Sequence, residues 1–328
     1  MPRWVLWYTA GLALVLLGVG AMLWIKGGAG AERLTLAQAG AVRDRNALSV
    51  AISADNRFAA VTCMRGPALV YHLPDLKQVA SLPPKEKFMI QVAFHPSKKM
   101  LAAAELASGV SLWDTATWKR SAFLTTPGTA ASVAFSPDGS WLAADVGADG
   151  WCLVVWKLDT RQEVYRFRAQ GTSMFGPGFG CVTFIDNRTL AAGGLDGCVY
   201  IWDLGTGKQL GRWCVHRQPI ASMAVLQRGA LLASGSLGRT VVLLDWRRGE
   251  QLAVLPGVVV AASDDGKILA VASDTQPVML QLWDVGTMRL LASRNVAQNI
   301  LGMGFLSGGK GLVTVGNPET LVVWRILR

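Results

Sequence analysis

Histidine beside a carboxylate, thiol or hydroxyl is the commonest arrangement for acid–base or nucleophilic chemistry. There are three histidines, His72, His95 and His216, and no two share a spacing that makes a metal site or a Ser–His or Cys–His pair. The five cysteines, Cys63, Cys152, Cys181, Cys198 and Cys214, are odd in number and follow no metal-ligand spacing. Gly176-Pro177-Gly178-Phe179-Gly180 has the glycine content of a phosphate loop, but it leads into a strand-like run and not a helix. Asp264 and Asp265 stand ahead of Gly266, where a tight turn is explanation enough. No catalytic residue, cofactor or metal site is expected.

The charge balance excludes another class. Lys and Arg number 32 against 22 Asp and Glu, a net charge of +10. The basic residues are spread along the whole chain, without a run of like charges or an interleaved aromatic–basic stretch, so nucleic acid is not expected as a partner. Hydrophobic content of 51% against 16% charged residues is ample for a packed core.

The elements that position these residues repeat. Val133-Ala134-Phe135-Ser136-Pro137-Asp138-Gly139 is followed by Trp141-Leu142-Ala143-Ala144 and then by Val154-Val155-Trp156. With Trp156 as marker, the equivalent positions are Tyr71, Trp113, Trp202, Leu244, Trp283 and Trp324, at intervals of 42, 43, 46, 42, 39 and 41 residues along the chain. A period near 40 with four short strands per unit is the pattern of β-propeller blades. Phe135-Ser136-Pro137-Asp138-Gly139, Leu195-Asp196-Gly197 and the dipeptides Trp113-Asp114, Trp202-Asp203 and Trp283-Asp284 resemble the turns and the strand-c ending of the WD40 family. That resemblance covers roughly residues 31–328 and implies an all-β, seven-bladed propeller. The tetrad of His, Ser/Thr, Asp and Trp that ties a blade together in this family is complete in no unit, so binding residues cannot be transferred from relatives.

Each unit also reads as strands on its own terms. In the fourth, Cys181–Phe184, Leu190–Gly194, Val199–Trp202 and Gln209–Trp213 are expected as strands a to d. Strands b and c are apolar runs, as expected when both faces of a sheet are covered. The seventh unit ends soon after Trp324 with no strand d, and residues 32–38 are expected to supply it, closing the ring. Small core residues in a reducing compartment are the expectation for the cysteines. Only Cys198 and Cys214, on adjacent strands near the same end of blade four, are placed to bridge.

Trp4 to Ile25 is 22 residues without a charge, with Trp4, Trp7, Tyr8 and Trp24 near its ends. A helix of that length spans about 33 Å, enough for a bilayer core. Interfacial aromatics sit at such ends. The organisation expected is a single transmembrane anchor over 1–27, a linker over 28–31 and a propeller over 32–328. The stretch is longer than the apolar region of a cleaved signal peptide. Lys26, Arg33, Arg43 and Arg45 after the span, against Arg3 before it, lean toward a cytoplasmic propeller. The short linker directs the face carrying the a–b and c–d turns toward the membrane. Its basic residues, such as Lys98, Lys99, Arg188, Arg247, Arg248 and Lys310, face anionic headgroups or are ordinary solvated turn residues.

The remaining function is binding. The opposite, upper face carries the d–a connections, where Arg43 and Arg45, Lys85 and Lys87, and His216 with Arg217 suit an acidic protein segment. The long loop from Gln170 to Gly180 places Phe175 and Phe179 among glycines, as partner anchors or as packing over the channel. The expected role is a membrane-anchored, non-catalytic interaction scaffold. The alternative is a ligand-sensing or enzymatic propeller using its central channel, which titratable residues at the upper channel mouth would favour.

Overall fold

The computed structural model describes residues 34–43, 46–106, 109–147, 151–168, 178–318 and 320–327. The expected helix over 4–25, the linker 28–31, Arg45 and Phe175 lie outside the described residues. Among the described residues no helix is long and apolar enough to cross a membrane.

The described strands form seven four-stranded antiparallel sheets. Six are sequential meanders; blade 1 runs Ala47–Ile52, Phe58–Cys63, Ala68–His72 and Lys77–Leu82, and blade 4 runs Phe179–Phe184, Thr189–Gly194, Cys198–Asp203 and Lys208–Cys214. The seventh takes strands a to c from Asn299–Phe305, Gly311–Asn317 and Leu321–Leu327, and its outer strand from Thr35–Val42 at the other end of the chain. That closing strand pairs antiparallel with the last strand from Thr35 opposite Leu327 to Val42 opposite Leu321, so it extends beyond Gln38. The innermost strands of neighbouring blades touch around a closed ring, blade 7 meeting blade 1.

The apolar runs are explained by the seams. The buried side chains fall into seven clusters, each shared by two consecutive blades. Ala59, Val61 and Tyr71 of blade 1 meet Val313, Val315 and Leu321 of blade 7, for example. Small residues of strand b (Ala102, Ala104, Ala143, Ala144, Ala191, Ala192) are fully buried where the blades converge. The marker residues Tyr71, Trp113, Trp156, Trp202, Leu244 and Trp324 are all buried in these seams.

Polar devices repeat in the a–b and c–d turns, at one end of the sheets. In the a–b turns of blades 1, 3 and 6 a serine hydroxyl donates to an aspartate two residues on: Ser53 to Asp55 (2.6 Å), Ser136 to Asp138 (2.6 Å) and Ser263 to Asp265 (2.7 Å). In the c–d turns the aspartate after the marker accepts backbone N–H groups, from Ala116 and Thr117 at Asp114 and from Gly205 at Asp203. The Trp-Asp dipeptide therefore joins a seam filler to a turn cap.

The cysteines divide. Cys63, Cys152 and Cys181 are buried thiols, whereas Cys198 and Cys214 form a disulfide. They stand directly opposite each other in register and are the one pair that the sequence placed to bridge, so the expectation of small reduced core residues does not extend to them.

The closing strand supplies a direct test. Leu36 is buried in the cluster between blades 6 and 7, beside Trp324. Leu36→Ala is expected to cost about 2–5 kcal/mol, read as a lower denaturant midpoint at unchanged slope.

Candidate functional site

The histidines are all engaged inside the fold. His95 Nε2–H donates to Gly139 O (3.1 Å) and its Nδ1 accepts from Ser97 N–H and Lys98 N–H, so it staples adjacent a–b turns. His72 Nδ1 lies 2.8 Å from Asp75. His216 donates through Nε2 to Ser234 O (3.2 Å), with Ser234 Oγ at 2.9 Å, and its Nδ1 meets Thr240 Oγ1 at 3.1 Å. Burial lowers the pKa of both His95 and His216. His216 was expected among the partner-binding residues; its ring is committed to blade 5, which leaves Arg217 as the exposed charge of that connection.

Incomplete tetrads are repaired with other residues. In blade 7, Trp324 Nε1–H donates to Thr314 Oγ1 (2.9 Å), which donates to Gln298 Oε1 (2.7 Å), with Gln298 standing where a histidine is usual. In blade 5, Leu244 fills the Trp position and Trp246, two residues on, donates to Gly229 O (2.8 Å).

The two ends of the propeller differ in charge. Strand alternation puts the a–b and c–d turns at the lower end and the b–c turns and d–a connections at the upper end. Lower-end acids cap turns and stand beside basic residues: Asp75 and Lys77 (3.6 Å), Asp203 and Arg188 (3.6 Å), Asp245 and Arg248 (3.8 Å), Asp265 and Lys267 (4.0 Å). At the upper end, among the described residues, Glu105 and Asp145 are fully buried, Asp196 is bonded to Arg212 (2.9 Å) and Asp274 to Arg239 (3.1 Å). Glu86 is exposed, while Arg43, Arg65, Lys85, Lys87, Arg168 and Arg217 are exposed basic residues. Among the described residues the exposed basic groups of the upper end therefore outnumber its one exposed acid, Glu86.

The predicted site residues are not all brought together. The connections holding Arg43 and those holding Lys85 and Lys87 flank the upper edge of blade 1. Main-chain contacts tie both to its b–c turn: Met64 N–H donates to Asn46 O (3.1 Å), and Gly66 bridges to Phe88. Arg65, in that turn, was missed by sequence reasoning; a basic residue between two basic connections is the signal. Arg217 lies on the connection between blades 4 and 5, away from this group. Phe179 was expected either to anchor a partner or to pack over the channel. It is 1% exposed, the first residue of strand a of blade 4, edge-on to Tyr200 and Trp202. Strand a begins there and not at Cys181, because a bulge between the two residues lets both pair with strand b.

The central channel holds a cavity of about 660 Å3 at its lower end, lined by Thr183, Met223, Val225 and Met303, with Arg228 and Asp264 at the rim. Its charged groups stand at the lower mouth, opposite the end at which a titratable cluster would favour a channel ligand.

Asp145 is the chemically unusual residue. It is fully buried on strand b of blade 3, and among the described residues neither carboxylate oxygen has a hydrogen-bond partner. Burial pushes its pKa well above the ordinary 3.8 and pushes the Cys181 thiol up to about 12. The acid is thus held toward its neutral form and the thiol is not activated. The folded state binds this proton more tightly than the unfolded chain. Its stabilising contribution is complete below the unfolded value and is lost as pH rises toward the folded one. Asp145→Asn is expected to gain stability relative to wild type as pH rises from about 4 to about 7, measured by thermal melts across that range.

Residues 121–157 and 172–203, within and flanking blades 3 and 4, match the family described as WD domain, G-beta repeat. The chain is also similar to the WD repeat-containing protein SL1-17 of Schistosoma mansoni, 28% identical over 162 residues, 49% of this chain and 52% of that protein. It spans about half the length of this curated relative. The protein is a seven-bladed β-propeller, and two stretches of it match the WD40 repeat family.

Proposed function

We propose that this protein is a membrane-anchored, non-catalytic interaction scaffold that presents the upper end of its propeller to an acidic protein partner. The observation that carries this reading is the partition of charge between the two ends. Turn-capping aspartates stand beside basic residues below, whereas among the described residues every upper-end acid but Glu86 is buried or paired and basic side chains are exposed. Surface charge of one sign steers association with a partner of the other. Propellers with WD40 repeats typically serve as interaction platforms, although fold alone does not assign function.

Anchoring rests on the uncharged stretch from Trp4 to Ile25. The basic residues following it favour a cytoplasmic propeller. A second reading, a propeller in an oxidising compartment, is favoured by the Cys198–Cys214 bridge.

Three measurements test the proposal. The full chain is expected to stay in the membrane pellet through alkaline carbonate, and a chain lacking 4–25 to be released; release of both would remove the anchor. Protection of a C-terminal tag from protease in sealed, cytoplasmic-side-in vesicles supports the cytoplasmic reading, and digestion supports the other. Lys87→Cys is expected to react more slowly with a soluble maleimide in native membranes than after purification, with salt washing restoring the rate. Equal rates in both preparations would mean that no partner covers the upper end.

A further inference from the structure

The upper-end charge is concentrated over one blade, and a buried acid holds it there. We propose that the acidic partner segment docks over blade 1, on Arg43, Arg65, Lys85 and Lys87, and that Glu105 is the positioning residue for this surface. The inference rests on the reading of the upper end as the partner surface and assigns it a place and a supporting residue.

Three loops form the surface. The connection into blade 1 carries Arg43 and Asn46, the b–c turn of blade 1 carries Arg65, and the connection into blade 2 carries Lys85 and Lys87. Main-chain contacts join them in sequence, Asn46 O to Met64 N–H at 3.1 Å and Gly66 to Phe88 by a parallel bridge. The basic residues are therefore fixed relative to one another by backbone, although they lie on three separate turns. Among the described residues Glu86 is the exposed acid of these loops, and Asp44, next to Arg43 in sequence, lies outside the described residues.

Glu105 lies beneath the third loop. It is the last residue of strand b in blade 2, opposite Met89, and is fully buried. At the matching register other blades place Cys63, Val146, Gly194, Ser236 and Gly316, none of them charged. Burying a carboxylate is costly unless it is paired. Here Lys85 N–H donates to Glu105 Oε2 at 2.6 Å, and Arg120 Nη2 stands 3.8 Å from Oε1. Arg120 in turn donates to Pro83 O (2.6 Å) and lies over the Trp113 ring (4.9 Å). The Lys85 ammonium rests over Phe123 (4.6 Å), and Leu106 N–H holds Phe88 O (3.0 Å). The loop from Pro83 to Phe88 is thus fastened at both ends and in its middle, and Glu105 holds the middle.

A partner that fits is an extended Asp/Glu-rich protein segment. The cluster occupies the edge of a single blade, which suits a narrow strip of charge. A membrane surface would be matched by basic residues spread over the whole face.

The test uses the full-length protein in detergent and a fluorescein-labelled oligoglutamate peptide, with binding followed by anisotropy at two salt concentrations. Arg65→Glu combined with Lys87→Glu is expected to weaken binding by about tenfold or more, and Arg217→Glu, on the connection between blades 4 and 5, by less than about twofold. An equal loss from Arg217→Glu would overturn the blade 1 assignment while leaving the upper-end reading intact. An equal loss from the lower-end pair Arg188→Glu and Lys267→Glu, or no binding of the peptide at all, would overturn the upper-end reading itself. Phosphatidylserine vesicles that bind in place of the peptide, with the same dependence on Arg65 and Lys87, would assign the surface to lipid and overturn the protein partner.

Glu105→Val copies the residue of blade 3 at this register, so the variant is expected to fold, checked by its melting curve. It also removes a negative charge, so a purely electrostatic surface would bind the acidic peptide more tightly. Positioning predicts the opposite sign, binding weaker by about threefold or more, with Glu105→Gln restoring much of it because the amide oxygen still accepts from Lys85 N–H. Tighter binding by Glu105→Val would remove Glu105 from the proposal.

Discussion

Every blade in this protein depends on its neighbours for burial, and the rest of the structure follows from that constraint. A four-stranded sheet with two apolar faces cannot stand alone in water; here each face is covered by the next blade, and the seven clusters close into a ring. The first and last blades share one of these clusters, so an unclosed chain would leave two apolar faces and a strand edge in solvent. Pairing Thr35–Val42 with Leu321–Leu327 links opposite ends of the chain within one sheet. Closing the ring and burying the last seam therefore require each other, and the two rims are where backbone turns meet water.

At those rims the demands of turn formation determine the electrostatics. Lower-end turns need acceptors for free N–H groups, and aspartates provide them at Asp55, Asp114, Asp138, Asp203, Asp245, Asp265 and Asp284. The serine hydroxyl beside Asp55, and likewise that beside Asp265, holds the carboxyl below its ordinary pKa. Negative charge thus accumulates below and offsets the basic residues there. At the upper end, among the described residues, Asp196 and Asp274 are paired, Glu105 and Asp145 are buried, and Glu86 is exposed.

Blades without the usual polar tetrad keep their geometry by substitution. Gln298 completes a relay from Trp324 through Thr314, and Trp246 anchors blade 5 although Leu244 fills the seam. A seam requires volume and a relay requires any donor–acceptor chain, and both requirements admit several residues. This tolerance accounts for a fold that persists where the repeat signal is weak.

Much of the architecture was legible in the chain itself. Strand alternation, turn residues and a period near 40 are local properties, written within each unit and repeated, so blade number and strand order could be read from them. The segment before Ala47 could be recognised as a closing strand because the seventh unit lacked one. The candidate site was only partly legible. Lys85, Lys87 and Arg43 could be assigned to upper connections from their place in the repeat. The tertiary structure alone decided that Arg65 joins them, that Phe179 is core and that Glu105 lies beneath the loop. It also set the bulges at equivalent points of different blades, such as Leu112/Trp113 in blade 2 and Ile201/Trp202 in blade 4. The physical reason is that a local pattern specifies which face of a strand is apolar. Which side chain meets which across a seam depends on bulge offsets and register between residues far apart in the chain, and only the closed ring determines those.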